Sequence, residues 1–153
     1  MYDFKIVKKP QFTLTGYVRK FNSATSYEEI PKFWDEHFIN NGAKIAEGDD
    51  ICGEYGVCYG CGDNGEFSYM IADDYVPVSE IPNGAEIKVV PAHTWAVFEC
   101  NGALPKALQD VNTYIFNDWL PNSRKYRMVG DLNIDVYFDE DDYSEIWIPV
   151  EEI

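Results

Sequence analysis

The chain has 153 residues, which suits one globular domain with a single core. Its 27 acidic and 12 basic residues give a formal net charge of −15, which repels phosphate backbones and argues against direct nucleic-acid binding. No window approaches the roughly 18 apolar residues of a membrane span, and the charged N-terminal stretch is unlike a signal peptide. We therefore expect a cytoplasmic protein that has no membrane partner.

Hydrophobic periodicity predicts the same order of elements twice. The first half reads as strands near 3–9 and 12–21, a helix over about 27–40, and strands near 51–61 and 66–72. The second half reads as strands near 85–91 and 94–100, a helix over about 104–119, and strands near 127–138 and 143–150. The sequence therefore predicts an α+β fold, with two β-α-β-β units at about 1–76 and 84–153 inside one domain over 1–153.

Both predicted helices carry an apolar stripe at the spacing of a helix that packs on a sheet. The stripe of the first helix is Ile30, Phe33, Trp34, His37 and Phe38, and that of the second is Leu104, Leu108, Val111, Ile115 and Trp119. We interpret both stripes as core residues rather than as part of a cofactor site, and we expect no cofactor.

The last strand of each half carries the candidate binding residues. Aligning "FSYMIA" with "YSEIWIP" makes Tyr69 equivalent to Glu145 and Ile71 equivalent to Trp147. We predict that a pseudo-twofold axis relates the members of each pair. Phe67 and Tyr143 are then equivalent as well. Because side chains alternate along a strand, all of these residues are expected on one face.

The hairpin turns predict which residues lie opposite these rings. With a turn at Asn64-Gly65, Gly60 and Cys58 fall opposite Tyr69 and Ile71, and small residues opposite rings leave open volume. In the second hairpin Val136 and Ile134 fall opposite Glu145 and Trp147.

Among the residues of this face, Glu145 is the hardest to explain as part of the hydrophobic core. An unpaired carboxylate in apolar surroundings costs several kcal/mol, which is tolerated where a ligand uses it. Two alternatives stay open: Glu145 faces solvent, or it pairs with Arg19, Arg124 or Arg127. If it faces inward, the rings and the acid suit a flat, hydrophobic, cationic small molecule.

Three stretches support a family resemblance together with the duplicated order of elements: "VVPAHTWAVFECNG", "NDWLPNS" and the C-terminal "YSEIWIPV". In these features the sequence resembles the GyrI-like or AraC-type effector-binding domain, which is also the ligand-binding domain of multidrug-sensing transcription regulators. It implies a concave antiparallel sheet with a ligand cleft between the halves, a pocket glutamate at Glu145 and an aromatic wall at Trp95. No DNA-binding segment precedes Tyr2, so we expect a stand-alone binding protein without the output module of the regulators.

Other candidate sites are weaker. Cys58 and Cys61 have CxxC spacing with Cys52 nearby, yet a zinc site would need a fourth ligand, and we interpret them as small buried residues. The "DEDD" run at 139–142 lacks the spacing of a calcium loop and reads as a solvated turn. We expect no metal site.

The leading hypothesis is therefore an effector- or drug-binding protein, acting in transcription regulation or drug sequestration. Its predicted ligand-binding residues are Glu145, Trp147, Tyr143, Tyr69, Phe67, Trp95, Ile71 and Gly60. One alternative is a hydrolase of reactive drug-like molecules that uses Glu145 with Tyr69. Another is an acidic protein-interaction or gyrase-inhibitor-like protein that engages a topoisomerase or a separate regulator.

Overall fold

The computed structural model describes residues 2–77 and 80–153, which form two compact units. The N-terminal unit is Phe12–Val90, and the C-terminal unit joins the residues up to Gln11 to Pro91–Ile153. The strands in chain order are β1 (Phe4–Lys9), β2 (Phe12–Asn22), β3 (Tyr55–Tyr59), β4 (Glu66–Asp74), β5 (Glu86–Val90), β6 (His93–Asn101), β7 (Tyr126–Met128), β8 (Leu132–Tyr137) and β9 (Tyr143–Glu152). The helices are α1 (Ser26–Ala46), α2 (Lys106–Tyr114) and the short α3 (Leu120–Asn122), with a π-helical turn over Ile115–Trp119.

Within the N-terminal unit the strand order is β3-β4-β2-β5, and every pairing is antiparallel. Within the C-terminal unit the order is β1-β6-β9-β8, again antiparallel, and β7 also pairs with β9. The predicted α+β class, with duplicated units, antiparallel strands and two main helices, is confirmed.

The first strand of each predicted repeat pairs outside that repeat. β1 pairs with β6, so that Phe4 lies opposite Phe98, and β5 pairs with β2, so that Val90 lies opposite Phe12. Each unit therefore takes one edge strand from the other half of the sequence. Periodicity predicts where a strand lies but carries no information about such a distant partner.

Each unit has its own apolar cluster between the sheet and a helix. In the N-terminal unit Phe33 of α1 packs with Phe21, Ile51, Tyr69 and Ile71. In the C-terminal unit the cluster joins α2 and the π-helical turn to β6 and β9; it contains Ala96, Phe98, Cys100, Val111, Ile115, Ile146, Ile148 and Val150.

The structure changes the second half of the prediction in two places. Leu104 precedes α2 and is 48% exposed, so it is not part of the apolar stripe. The strand predicted over 127–138 is two strands, β7 and β8, with Gly130 between them at φ +68, a backbone conformation that glycine adopts at little cost.

Among the residues that the structure describes, no helix is both long and apolar enough to span a membrane.

Candidate functional site

Glu145 lies in the middle of β9, on the face of the C-terminal unit that points away from α2. Its neighbours Ile146 and Ile148 point the other way, into the cluster under α2, because side chains alternate along a strand. Glu145 lies opposite Glu99 on β6 and opposite Val136 on β8. The predicted pairing of Val136 with Glu145 and of Ile134 with Trp147 is confirmed.

The carboxylate of Glu145 is buried, since the residue is only 8% exposed. The alternative in which it faces bulk solvent is therefore wrong. Within residues 2–77 and 80–153 Glu145 also takes part in no ion pair; the pairs that form there include Arg19–Glu36, Lys106–Asp110 and Arg127–Glu151. Arg19 and Arg127 thus have other partners, and Glu145 forms no direct ion pair in the part of the chain that the structure describes.

Two aromatic side chains of the same strand hold this carboxylate. The Tyr143 hydroxyl donates to Oε2 of Glu145 at 2.6 Å, and the Trp147 indole nitrogen donates to Oε1 at 2.9 Å. Tyr143 and Trp147 flank Glu145 at i−2 and i+2, so the strand itself places all three side chains on one face. Both oxygens therefore have neutral donors, which orient the carboxylate without neutralising it.

Tyr143 also reaches a second carboxylate. Its hydroxyl lies 3.4 Å from Oε1 of Glu99, the cross-strand neighbour of Glu145. Burial, and then the hydrogen bond to Glu145, raise the pKa of the Tyr143 phenol well above its ordinary value. The phenol therefore stays protonated and keeps its donor role at neutral pH.

Rings and one lysine complete the arrangement. Trp95 of β6 is fully buried, and its ring centroid lies 6.1 Å from that of Trp147. The ammonium of Lys9, on β1, lies over the Trp147 ring at 4.4 Å from its centroid, a cation–π distance. We call Glu145, Tyr143, Trp147, Trp95 and Lys9 the Glu145 site.

Sequence reasoning missed Lys9, which belongs to this site, and Glu99, which lies beside it. The signal for Lys9 was present, because Lys5, Val7 and Lys9 alternate along β1 on the face of Val97 and Trp95. This alternation identifies Lys9 as a site residue only when the pairing of β1 with β6 is known, because a lysine near the N-terminus is otherwise interpreted as a solvated residue.

The structure places the N-terminal candidates on the helix side of their own unit. Tyr69 is fully buried, its hydroxyl accepts a hydrogen bond from the Trp34 indole at 3.0 Å, and its ring packs on Phe33 of α1. Phe67 and Ile71 lie on that same face. Glu145 instead faces away from the helix of its unit, so the predicted equivalence of Tyr69 with Glu145 is wrong. Shifting a strand alignment by one residue reverses every face.

The predicted partner of Tyr69 is also wrong. Cys58 lies opposite Tyr69, and Gly56 lies opposite Ile71, whereas Gly60 lies beyond the end of β3 with φ +68. A side chain at Gly56 would meet the Tyr69 hydroxyl, so the space above this glycine is already filled. The ligand-binding role of Tyr69, Phe67, Ile71 and Gly60 stays a prediction.

Comparisons with known proteins agree on the family. The family model described as Cass2, integron-associated effector binding protein, matches residues 5–150. The transcriptional regulator BrlR of Pseudomonas aeruginosa is 33% identical over 102 residues, which cover 67% of this chain and 36% of the regulator. The chain therefore spans about a third of the length of that relative.

Two solved structures show the same fold. SAV2435 bound to tetraphenylphosphonium superimposes with a TM-score of 0.81 at 22% identity, over 97% of this chain and 94% of that chain. An integron cassette protein from the mobile metagenome of Vibrio cholerae gives a TM-score of 0.73 at 17% identity, over 97% of this chain and 95% of that chain. The resemblance to effector-binding domains of transcription regulators is confirmed, and the chain belongs to the Cass2 family of integron-associated effector binding proteins.

Proposed function

We propose that this chain binds hydrophobic, cationic small molecules at the Glu145 site, in transcription regulation or drug sequestration. The observation that carries the proposal is the buried carboxylate of Glu145, which is 8% exposed and held by two neutral donors. A buried carboxylate without a direct ion-pair partner costs several kcal/mol of desolvation. A cationic guest would supply the missing charge and offset that cost.

The rings supply the rest of the expected affinity. Tyr143 and Trp147 are half-buried, so both reach the surface beside the carboxylate. The Lys9 ammonium over Trp147 supports the view that this ring attracts a cation. The bound tetraphenylphosphonium of SAV2435, a protein of the same fold, also supports a guest that is both apolar and positively charged.

The test compares a cation with a neutral molecule of similar shape. Tetraphenylphosphonium and triphenylphosphine oxide would be titrated into the wild type and Glu145→Gln, with calorimetry or tryptophan fluorescence as the readout. A charge-assisted contact is worth about 1.5–3 kcal/mol, so Glu145→Gln should weaken the cation by about 10- to 100-fold. The neutral molecule should change by less than about threefold, because it makes no charge contact.

Glu152→Gln is the matched control, since Glu152 is an exposed glutamate of the same strand and the variant carries the same change of charge. It should leave both affinities unchanged. Equal losses for the cation and the neutral molecule in Glu145→Gln would contradict the proposed role of the charge.

A further inference from the structure

The Glu145 site contains one negative and one positive side chain that form no ion pair with each other. The carboxylate of Glu145 accepts hydrogen bonds from Tyr143 and Trp147, and the ammonium of Lys9 lies over the Trp147 ring. The ion pairs within residues 2–77 and 80–153 do not include one between Lys9 and Glu145. Two opposite charges are thus present at one ring, and they stay separate.

The sheet of the C-terminal unit keeps these two charges apart. Glu145 lies on β9 and Lys9 ends β1, with β6 between the two strands. Lys9 lies opposite His93 at the start of β6, whereas Glu145 lies opposite Glu99 near the end of that strand. Because the paired strands fix both backbone positions, the two side chains meet at Trp147 without meeting each other.

Trp147 contacts both charges in different directions. Its indole nitrogen donates to Oε1 of Glu145 at 2.9 Å, so the carboxylate lies at the edge of the ring. The ammonium of Lys9 lies over the face of the ring, at 4.4 Å from its centroid. The acid and the ammonium therefore mark positions for two opposite charges of one guest, with an aromatic surface beside them.

The ring is the one partner of the Lys9 ammonium in the part of the chain that the structure describes. Lys9 is half-buried. A cation–π contact at such a partly exposed position is weaker than a charge-assisted hydrogen bond to a carboxylate. The ammonium therefore gains when it leaves the ring face for an anionic group of a guest, and it breaks no ion pair in doing so.

Lys9 belongs to a basic strand in an acidic chain. The chain carries 27 acidic and 12 basic residues, yet three lysines lie on β1. The net charge of −15 repels an anionic group from most of the surface. A lysine directed at the binding rings is thus the local feature that makes an anionic group of a guest acceptable at this site.

The rings describe the body of the guest. Trp95 is fully buried, with its ring centroid 6.1 Å from that of Trp147, and it supports Trp147 from β6. Tyr143 and Trp147 are half-buried and reach the surface on either side of Glu145. This surface suits an aromatic body whose cationic and anionic groups are separated by that body.

We propose that the Glu145 site binds aromatic zwitterions, with the cationic group at Glu145 and a carboxylate or similar anionic group at the Lys9 ammonium. This inference rests on the function proposed above, to which it adds a second charge contact with the same guest. Lys9 then determines specificity in two directions. It disfavours a guest that is only cationic, and it favours a guest that also carries an anionic group.

Two probes that differ in one charge test the inference. The para-carboxy derivative of tetraphenylphosphonium is a zwitterion at neutral pH, and its methyl ester is a cation of nearly the same shape. Each would be titrated calorimetrically into the wild type and Lys9→Met. The variant should bind the zwitterion about tenfold more weakly, because a charge-assisted contact is lost. It should bind the ester about threefold more tightly, because a repelling charge is lost.

Two further variants control for net charge and for folding. Lys5→Met removes the same charge from the same face of β1, and should change either affinity by less than about twofold. Lys9→Arg keeps the charge, and should keep the affinity for the zwitterion within about threefold of the wild type. Tighter binding of the ester by Lys9→Met would also show that this variant is folded.

Glu145→Gln separates the failure of this inference from the failure of the proposed function. It should weaken both probes by at least about tenfold, because both carry the cation. If it does so while Lys9→Met leaves the zwitterion unchanged or tighter, the inference is wrong and the proposed function stands. An equal loss of the zwitterion in Lys5→Met would also overturn the inference. If Glu145→Gln changes neither probe, both proposals fail.

Discussion

The acidic residues of the two units differ in how their carboxylates meet water. At the Glu145 site the central acid is buried and held by ring donors. In the N-terminal unit Asp49 and Glu80 are exposed. The number of negative charges alone therefore does not determine which cation binds. A buried acid beside rings favours a guest that gives up its water easily, whereas exposed acids keep their water and select no particular guest.

Removal of the Trp147 ring should have the largest effect at the Glu145 site. Trp147→Leu deletes the stacking surface and the donor to Oε1 of Glu145. We expect tetraphenylphosphonium affinity to fall by about 30-fold, from roughly 2 kcal/mol of lost contacts, as measured by calorimetry. Phe38→Leu, which removes an exposed ring of the N-terminal unit, should leave that affinity unchanged. Equal losses in the two variants would mean that the guest does not bind specifically at Trp147.

Removal of the lysine over that ring should act in the opposite direction. Lys9→Met keeps an apolar side chain but deletes the ammonium that lies 4.4 Å from the Trp147 ring centroid. Because that charge repels a cationic guest and covers the ring face, we expect tetraphenylphosphonium to bind about threefold more tightly. Lys5→Met, a change four residues earlier on the same strand, is the control for net charge. An equal gain in affinity for Lys5→Met would show that the effect comes from net charge and not from the position of Lys9 over the Trp147 ring.

The smallest expected effect is on stability. Thr15→Val replaces a buried hydroxyl that has no partner, and should raise the free energy of unfolding by about 1 kcal/mol. Denaturant unfolding measures the change. Thr13→Val, at a less buried threonine of the same strand and face, should stay within about 0.5 kcal/mol of the wild type. Destabilisation by Thr15→Val would show that the hydroxyl stabilises the fold.

The fold class and the central acid could be predicted because both follow from local alternation. Glu145 falls among Tyr143, Trp147, Val136 and Ile134 once the strand and the hairpin are placed, and the structure has all four where the pattern puts them. A single-residue error in aligning the two halves was enough to reverse the face of Tyr69, because strand faces alternate with a period of two.

The remaining features could not be predicted because they depend on distant chain segments. Lys9 joins the Glu145 site only through the pairing of β1 with β6. The buried Thr15 hydroxyl, which has no hydrogen-bond partner, has no sequence signal at all.

The pairing of β1 with β6 also has a consequence for synthesis on the ribosome. Phe4 emerges early, yet the residue opposite it, Phe98, is made more than 90 residues later. During translation at about 5–20 residues per second, β1 must wait for several seconds with both of its edges open. Its sequence, FKIVKK, carries three lysines, and like charges discourage such a strand from joining another nascent chain.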